Sequence, residues 1–288
     1  ISVARSEQLT FAREHLNEMF GKRFPKYFRK EHVKYYKEES PEELAMINYT
    51  SGTTGFSKGV MLPYRAIWGN LDHILKCLAP NVKPGSNLVS ILPMAHMYGL
   101  AVEFLFGFLN GCHIYFLNRV PSPSLIAQAF AEVKPRLIVA VPLVVEKIVR
   151  KKVLAEVQTN RMKLLLNMPI VNKKIKQHIR ERIMDVFGGN AYEIIVGGAP
   201  LNLGIEKFLH SVGVPVTIGY GTTETAPLIT FTNYDRYKVA SCGPAVEHME
   251  VKVLSDDPQN KPGELVARGL NTMLGYYKNE EATRAVLD

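Results

Sequence analysis

The hydrophobic pattern along the chain switches between short apolar runs and longer segments with helical spacing. Apolar runs of strand length occupy 88–92, 113–117, 137–141, 194–196 and 214–218. Segments of helical length occupy 64–78, 124–133 and 203–212. Buried strands that alternate with helices are typical of a parallel sheet with helices on its faces. The pattern therefore predicts an α/β fold with a mostly parallel sheet.

The pattern changes after residue 240. The runs at 249–254 and 264–268 alternate apolar and polar residues, which predicts antiparallel strands with one solvated face. We thus expect a connecting segment at 1–43, an α/β core at 44–240 and a small antiparallel β subdomain at 241–288. Near the start of the core, Ser40-Pro41-Glu42-Glu43 has the composition of a helix start.

One further helix is predicted from an apolar stripe. Val171, Ile175, Ile179 and Ile183 recur every four residues, and Gly188-Gly189 follows the stripe. This spacing places the four side chains on one face of a helix, and glycine commonly ends helices. We expect this face to pack against the sheet.

The composition excludes several classes of protein. Hydrophobic residues make up 47% of the chain and charged residues 22%, as in ordinary globular domains. No apolar run approaches the roughly 20 residues of a membrane-spanning helix. Cys77, Cys112 and Cys242 do not have the number or spacing of a disulfide framework or a zinc site. We therefore expect a globular protein of a reducing compartment such as the cytoplasm.

A loop rich in glycine and hydroxyl side chains follows the apolar residues 44–47. Its sequence is Tyr49-Thr50-Ser51-Gly52-Thr53-Thr54-Gly55-Phe56-Ser57-Lys58-Gly59. Glycines let backbone N–H groups approach a ligand closely, and the hydroxyls and the lysine add donors and positive charge, so the loop suits phosphates. It differs from the Walker motif, in which lysine directly follows glycine and precedes serine or threonine. The alternative is a polar surface turn.

Three other motifs follow predicted strands: Gly219-Tyr220-Gly221-Thr222-Thr223-Glu224, Gly197-Gly198-Ala199-Pro200, and the histidine segment at 92–100. The carboxyl ends of parallel strands are where α/β sheets bind ligands. Tyr220 offers a flat face to a base, and the hydroxyls of Thr222 and Thr223 suit a phosphate. Glu224 offers a hard oxygen for Mg²⁺. Taken singly, each motif is also compatible with an ordinary turn or, for His96, with a structural histidine.

Together and in this order, the motifs resemble the adenylate-forming superfamily of acyl-CoA synthetases, adenylation domains of peptide synthetases and luciferases. The resemblance includes Gly263-Glu264-Leu265 and Gly275-Tyr276-Tyr277 and extends from about Leu44 to Thr283. One departure is Ser57, where the family usually has proline. The resemblance implies the large N-terminal domain of such an enzyme. The ribose-binding aspartate and the lid with its catalytic lysine are expected to lie outside this chain.

The resemblance also implies the reaction and the roles of residues. A carboxylate attacks the α-phosphate of ATP to give an acyl-adenylate and pyrophosphate, and a thiol, commonly CoA, then displaces AMP. The expected phosphate loop is Thr50, Ser51, Gly52, Thr53, Thr54, Gly55 and Lys58. The residues expected at adenine and AMP are Gly198, Ala199, Gly219, Tyr220, Gly221, Thr222 and Thr223. Glu224 and Thr53 are expected to bind Mg²⁺. The acyl or thiol side is expected to include His96, Met97, Tyr98 and Gly99.

The acid substrate is predicted from the histidine segment. Amino-acid-activating relatives usually place an aspartate there, whereas residues 92–106 contain one acid, Glu103, among mostly apolar residues. This favours an uncharged acyl chain, and 196–202 is similar to long-chain fatty acid–CoA ligases. We therefore predict an AMP-forming ligase of long-chain fatty acids that uses ATP, Mg²⁺ and CoA. The alternatives are an aryl- or amino-acid-activating member and an inactive, basic membrane-docking relative.

The net charge of +8 is concentrated in one segment. Lys147–Arg182 contains eleven basic and two acidic residues, so the rest of the chain is close to neutral. A solvated helix face is the simpler explanation. A second hypothesis is peripheral contact with the anionic inner face of a membrane, since each basic residue near such a surface contributes about 1 kcal/mol. RNA-binding signatures are absent from the sequence, so no nucleic-acid partner is expected.

Overall fold

The computed structural model describes residues 11, 14–23, 40–50, 57–150 and 169–287. The chain divides into two compact units, Ile1–Ser40 and Pro41–Asp288. The helix described in the first unit is α1 (Leu16–Arg23). An ion pair of 2.6 Å joins Glu18 to Lys22 one turn further along α1.

Strands and helices alternate through most of the second unit. Its described strands are β1 (Leu44–Tyr49), β2 (Gly59–Pro63), β3 (Asn87–Ser90), β4 (His113–Phe116), β5 (Leu137–Ala140), β6 (Glu193–Val196), β7 (Val216–Ile218), β8 (Tyr220–Gly221), β9 (Leu228–Thr230), β10 (Met249–Leu254), β11 (Glu264–Gly269) and β12 (Gly275–Tyr276). Its described α-helices are α2 (Tyr64–Leu78), α3 (Phe106–Leu109), α4 (Pro123–Val133), α5 (Pro142–Val149), α6 (Pro169–Val186), α7 (Leu203–Ser211) and α8 (Glu280–Arg284). A π-helix at Gly99–Leu105 runs directly into α3.

A five-stranded parallel sheet organises the second unit. Its strand order is β4-β3-β5-β6-β7, and every neighbouring pair is parallel. Each strand was predicted from an apolar run. β6 and β7 end where their runs end, whereas β3, β4 and β5 end earlier, because the last residues of these three runs belong to the following loops. The prediction of an α/β fold with a parallel sheet is confirmed.

Helices cover both faces of this sheet. Successive strand residues point to opposite faces, so Ile138 belongs to a core cluster with residues of α4, α5, α6 and α7, whereas Leu137 and Val139 belong to a cluster with residues of α2 and the π-helix. The predicted stripe of α6 faces the first of these clusters, where Ile179 and Ile183 are buried. The side chain of Val171 lies outside the described residues. Burial on both faces explains why the strands read as continuous apolar runs.

Antiparallel sheets complete the unit. β10 pairs with β11 from Met249 opposite Gly269 to Leu254 opposite Glu264, as the alternating pattern predicts. A second antiparallel sheet has the order β1-β2-β12, so β1 and β2 lie on either side of the glycine- and hydroxyl-rich loop. β2 was not predicted, because its start coincides with the end of that motif.

The predicted helix start at Ser40–Glu43 is wrong, because Pro41, Glu42 and Glu43 form a turn before β1. Contacts with the start of α2 hold this turn. The backbone N–H of Arg65 donates to the carbonyl of Pro41, and its Nε donates to both carboxylate oxygens of Glu42 at 2.8 and 2.9 Å. These tertiary contacts override the local helix signal.

Candidate functional site

A cavity of about 380 Å³ opens at the carboxyl ends of β3, β5, β6 and β7. All three motifs that follow predicted strands contribute to its wall. The lining residues from these motifs are Leu92, Pro93, His96, Met97, Tyr98, Gly99, Gly197, Gly198, Gly219, Tyr220, Gly221, Thr222 and Thr223. The position agrees with the general rule for ligand sites in open α/β sheets. Ala199, Glu224, Lys58 and Thr50 are not among the lining residues.

The inner wall of the cavity is apolar. Its lining side chains include Ile74 and Leu78 of α2, Val102 of the π-helix, Ile195 of β6 and Phe231. All five belong to the core cluster between α2 and the sheet, and each is at most 5% exposed. A ligand with a polar head and an apolar tail therefore fits a rim of glycines and hydroxyls and an interior of aliphatic and aromatic groups.

Two glycines shape the wall next to β6. A Cβ added at Gly197 would lie 3.1 Å from the ring of Tyr98, so glycine lets this ring lie close to the strand end. The Tyr98 hydroxyl donates to the carbonyl of Ile195 at 3.1 Å, and burial raises the pKa of the phenol well above its usual value. Gly198 has a φ of +82°, in the left-handed region that glycine adopts readily. Tyr98 thus forms a neutral, fixed part of the wall.

The turn between β8 and β9 carries the threonines and the glutamate of the second motif. A capping box closes it, in which Thr222 and Thr225 exchange side-chain and backbone hydrogen bonds. The turn packs closely against its own return segment, because a Cβ at Gly221 would overlap the carbonyl oxygen of Pro227. The backbone of this motif is therefore held independently of any ligand.

Glu224 and Lys58 come from different motifs and meet the same aromatic ring. The hydroxyl of Tyr276 donates to Oε1 of Glu224 at 2.8 Å, and Nζ of Lys58 lies 4.9 Å from the centre of the Tyr276 ring. Burial and the neighbouring Glu224 carboxylate raise the pKa of the Tyr276 phenol. In the sequence, Tyr276 was visible only as part of the Gly-Tyr-Tyr motif, without a role in the site.

Thr50 and Lys58, which the structure describes at the two ends of the predicted phosphate loop, are joined through their backbones. The N–H of Thr50 donates to the carbonyl of Lys58 at 3.0 Å, which continues the pairing of β1 with β2. Ser51, Gly52, Thr53, Thr54 and Gly55 lie outside the described residues. The structure thus places Lys58 beside Tyr276 and leaves the predicted roles of those five residues as predictions.

Glu103 is buried behind the histidine segment. Its carboxylate accepts hydrogen bonds from the hydroxyl of Ser90 at 2.9 Å and from the N–H groups of Ile91 and Leu92 at 3.1 Å each. Burial raises its pKa to about 7, although these hydrogen bonds favour the charged form. The carboxylate closes the end of β3 and is engaged there, so it does not face the cavity as a free counter-charge.

His96 lies at the rim and is exposed. The segment around it is held by its backbone: the N–H of His96 donates to the carbonyl of Pro93, and the Asn48 side chain of β1 donates to the carbonyl of Ala95 at 2.8 Å. Gly99 permits the close fold of this segment, because an added Cβ would lie 2.9 Å from the Pro93 carbonyl oxygen. The imidazole is thereby presented to the cavity mouth.

One cluster outside the cavity has the composition of a metal site. Donor atoms of Asp72, Glu247 and His248 lie within 4.8 Å of one another. The ammonium of Lys76 already binds Asp72 at 2.8 Å and Glu247 at 2.6 Å. This cluster is therefore an ion-pair network that joins α2 to the segment before β10.

Only part of the basic segment falls within the described residues, since 151–168 lie outside them. On α6, Lys173 and Lys174 are exposed, whereas Nε of Arg180 donates to the carbonyl of Gly213 at 2.8 Å. Among the described residues, no helix combines the length and the apolar content needed to cross a membrane. Membrane contact through this segment stays a prediction.

Comparison with known proteins gives consistent matches. Residues 3–277 match the sequence profile described as AMP-binding enzyme. The long-chain-fatty-acid–CoA ligase of Escherichia coli O6:H1 is 30% identical over 264 residues, which cover 88% of this chain and 42% of that protein. Long-chain-fatty-acid–CoA ligase 5 of Mus musculus is 30% identical over 280 residues, covering 90% of this chain and 40% of that protein. The chain spans about two fifths of the length of these relatives.

Solved structures share the fold. ATP-bound MatB from Rhodopseudomonas palustris has a TM-score of 0.64 at 24% identity, covering 88% of this chain and 45% of that one. The o-succinylbenzoate coenzyme A synthetase MenE from Bacillus subtilis, in complex with AMP, has a TM-score of 0.63 at 22% identity, covering 86% and 45%. These proteins and this chain therefore share the same overall fold.

Proposed function

The chain belongs to the AMP-binding enzyme family, and from this membership we propose that it activates a long-chain fatty acid with ATP and transfers the acyl group to CoA. The observation that carries the proposal is the cavity, in which a rim of glycine and threonine residues leads to an apolar interior. The long-chain ligases among its relatives support the choice of acid. The products are acyl-CoA, AMP and pyrophosphate.

The polar rim is the proposed nucleotide site. Tyr220, which is 41% exposed at the rim, offers its ring to adenine. The backbone at Gly198 and Gly219 lets the nucleotide lie close, with Ala199 beside it, and Thr222 and Thr223 offer hydroxyls to the α-phosphate. Thr50 and Lys58, with the loop between them, are proposed to hold the β- and γ-phosphates. Positioning and charge neutralisation are the main requirements of such a phosphoryl-centre reaction.

Glu224 fits a hard divalent cation such as Mg²⁺. It supplies a carboxylate, which is a preferred ligand type, and the hydroxyl of Tyr276 orients that carboxylate. When bound, the ion would neutralise charge on the nucleotide phosphates. The chain's own contribution is to keep Glu224 in one orientation and Lys58 nearby.

The apolar interior is the proposed acyl site. Ile74, Leu78 and Val102 give it no charged side chain, and the nearby Glu103 is engaged by Ser90, Ile91 and Leu92. A substrate ammonium would therefore lack a counter-charge among the described lining residues. His96, Met97, Tyr98 and Gly99 also line the cavity. We propose that they border the point where the acid carboxylate meets the α-phosphate and where the thiol later meets the acyl carbonyl.

Acid-dependent exchange between pyrophosphate and ATP tests the proposal. The full-length protein should catalyse it with fatty acids and release AMP when CoA is added. Rates should rise as the acyl chain lengthens from four carbons toward long-chain acids, since each buried methylene contributes about 0.8 kcal/mol. A mixture of aryl acids and amino acids serves as the control. Pyrophosphate exchange with the aryl or amino acids, together with no exchange with any fatty acid, would contradict the proposed substrate.

We also propose, as a separate point, that the basic segment contacts anionic lipid at the inner face of a membrane. The support is the concentration of basic residues in Lys147–Arg182 and the exposure of Lys173 and Lys174. Sedimentation with vesicles containing phosphatidylserine should be lost at high salt and in a variant with glutamate at 173, 174 and 176. Equal binding to neutral vesicles, or unchanged binding of the variant, would contradict this point.

A further inference from the structure

Asn70 connects α2 to the turn that carries Thr223 and Glu224. The Asn70 side chain is fully buried, and its Nδ2 donates to the carbonyl of Thr225 at 2.9 Å. Its Oδ1 accepts from the N–H of Leu228 at 2.8 Å. The two partners lie on either side of Ala226-Pro227, so one amide holds both arms of the turn.

The same end of the turn is held from a second side. Asn271 donates from Nδ2 to the carbonyl of Leu228 at 2.9 Å. Helix α2 comes close here, since a Cβ at Gly69 would overlap Oδ1 of Asn271. Both backbone groups of Leu228 are therefore bound by buried asparagines, and Leu228 itself lines the cavity. Asn70 is therefore hydrogen-bonded to a residue of the cavity wall as well as to the turn.

We propose that Asn70 is a positioning residue for the nucleotide-binding turn. Asn70 is not among the residues lining the cavity, so it acts through the turn and not on the substrate. An uncharged amide both donates and accepts, which is the combination that the Thr225 carbonyl and the Leu228 N–H require. The inference rests on the proposed function, in which Thr223 and Glu224 contact the α-phosphate and Mg²⁺.

A purely structural role predicts a different result from a positioning role. Loss of stability alone would lower the amount of folded enzyme and leave the kinetic constants of the folded fraction unchanged. Misplacement of the turn should instead lower kcat/KM for ATP and raise the Mg²⁺ requirement. A misplacement of about 1 Å can cost about a hundredfold in rate.

Substitution of Asn70 by aspartate gives the sharpest test. In the Asn70→Asp variant, an ionised carboxylate accepts from the N–H of Leu228 and cannot donate to the Thr225 carbonyl. A protonated carboxyl group can accept from Leu228 and donate to Thr225, and it gives up only the second donation of the amide, to the carbonyl of Ala66 in the preceding turn of α2. Burial raises the pKa of a carboxyl group. The activity of Asn70→Asp relative to the unmodified enzyme should therefore recover, by about tenfold, when the pH is lowered from 8 to 6.

The experiment measures pyrophosphate exchange of the full-length protein at saturating fatty acid, with ATP and Mg²⁺ varied. Asn70→Ala is expected to lose about a hundredfold in kcat/KM for ATP. The matched control is Asn110→Ala, because Asn110 donates to the carbonyl of Val82 at 2.6 Å at the opposite end of the sheet. Asn110→Ala should lose thermal stability and retain the kinetic constants.

Unchanged constants in Asn70→Ala, or an Asn70→Asp pH profile parallel to that of the unmodified enzyme, would overturn the inference. Absence of exchange by the unmodified enzyme with every acid would instead contradict the proposed function. In that case, hydrogen–deuterium exchange of the Leu228 amide tests the inference without any activity. Faster hydrogen exchange at Leu228 in Asn70→Ala than in Asn110→Ala supports the positioning of the turn, and equal hydrogen exchange in the two variants overturns it.

Discussion

The phenol of Tyr276 donates a hydrogen bond of 2.8 Å to Oε1 of Glu224. The same ring lies 4.9 Å from Nζ of Lys58, so it stands between the acid of one motif and the cation of another. A second contact supports the arrangement, since the N–H of Met273 donates to the backbone carbonyl of Glu224 at 2.9 Å. Tyr276 of β12 and Met273 just before this strand therefore orient the proposed metal ligand, although neither residue lines the cavity.

Removal of the Tyr276 hydroxyl should weaken metal use without removing the ring. Tyr276→Phe keeps the aromatic face beneath Lys58 and leaves Glu224 without its donor. Because partners behind a metal ligand typically change affinity 10- to 100-fold, the Mg²⁺ concentration for half-maximal exchange should rise about tenfold or more. Tyr277→Phe is the control, since Tyr277 is exposed next to it. An equal Mg²⁺ requirement in both variants would contradict the proposed role of Glu224.

The volume at Val102 should set the preferred chain length. Val102 is 2% exposed and lines the apolar interior of the cavity. Val102→Phe fills this space and should shift the optimum to shorter fatty acids, whereas Val102→Ala should extend it. A lost methylene contact of about 0.8 kcal/mol corresponds to about a fourfold change in KM. The measurement is kcat/KM across a series of saturated acids.

The control for this pair is Val145→Ala, which empties a buried site in the cluster on the other face of the sheet. It should lower stability by an amount similar to Val102→Ala and leave the chain-length profile unchanged. If all three variants shared one profile, the acyl chain would not occupy the interior next to the π-helix.

Much of the sheet could be predicted because its strands are buried on both faces. Leu137–Ala140 is apolar at every position, and such a run has few other stable placements in a globular protein. The turn at Pro41–Glu43 could not be predicted, because its conformation depends on Arg65, whose contact with Glu42 is tertiary. These hydrogen bonds to a distant residue, and not the local sequence, determine the conformation of the turn.

The candidate site likewise contains residues that the sequence predicted and residues that it did not. The glycine and threonine motifs were visible because they follow strands and combine unusual residue types in a fixed order. Asn70 and Tyr276 were missed as parts of the site, since each acts across a long sequence separation, on Thr225 and Glu224 respectively. A lone asparagine within an amphipathic helix is a weak signal, although a polar residue on the buried face of α2 would have marked it as needing partners.

Two neighbouring glycines should respond differently to alanine. A Cβ at Gly221 would overlap the Pro227 carbonyl oxygen, whereas a Cβ at Gly219 would lie 3.5 Å from Phe231 in ordinary contact. Gly221→Ala should therefore destabilise the ligand-free protein by about 1–3 kcal/mol, as overpacking usually does. Gly219→Ala should leave its unfolding free energy almost unchanged, as measured by chemical denaturation. Similar losses in both variants would show that the backbone between β7 and β8 does not tolerate any side chain.

Glu193 should make stability depend on pH. It is fully buried at the start of β6, where Oε1 accepts from the hydroxyl of Thr217 at 2.8 Å, and burial raises its pKa to about 7. The folded state therefore binds more protons than the unfolded state between pH 4.5 and 7. Since stability rises with pH only where the unfolded state binds more protons, the free energy of unfolding should fall as the pH rises through this window.

Glu193→Gln should remove this contribution. The glutamine oxygen can still accept from Thr217, and its amide occupies the place of the protonated carboxyl without a charge. At pH 8 the variant should be more stable than the unmodified protein by about 1–3 kcal/mol, and the difference should vanish toward pH 5. Part of the pH dependence should persist in the variant, because burial also raises the pKa of Glu103 to about 7. Urea unfolding from pH 5 to 8 measures this, with the exposed Glu264→Gln as control. Parallel pH curves for the Glu193→Gln variant and the unmodified protein would show that Glu193 does not change its protonation in this range.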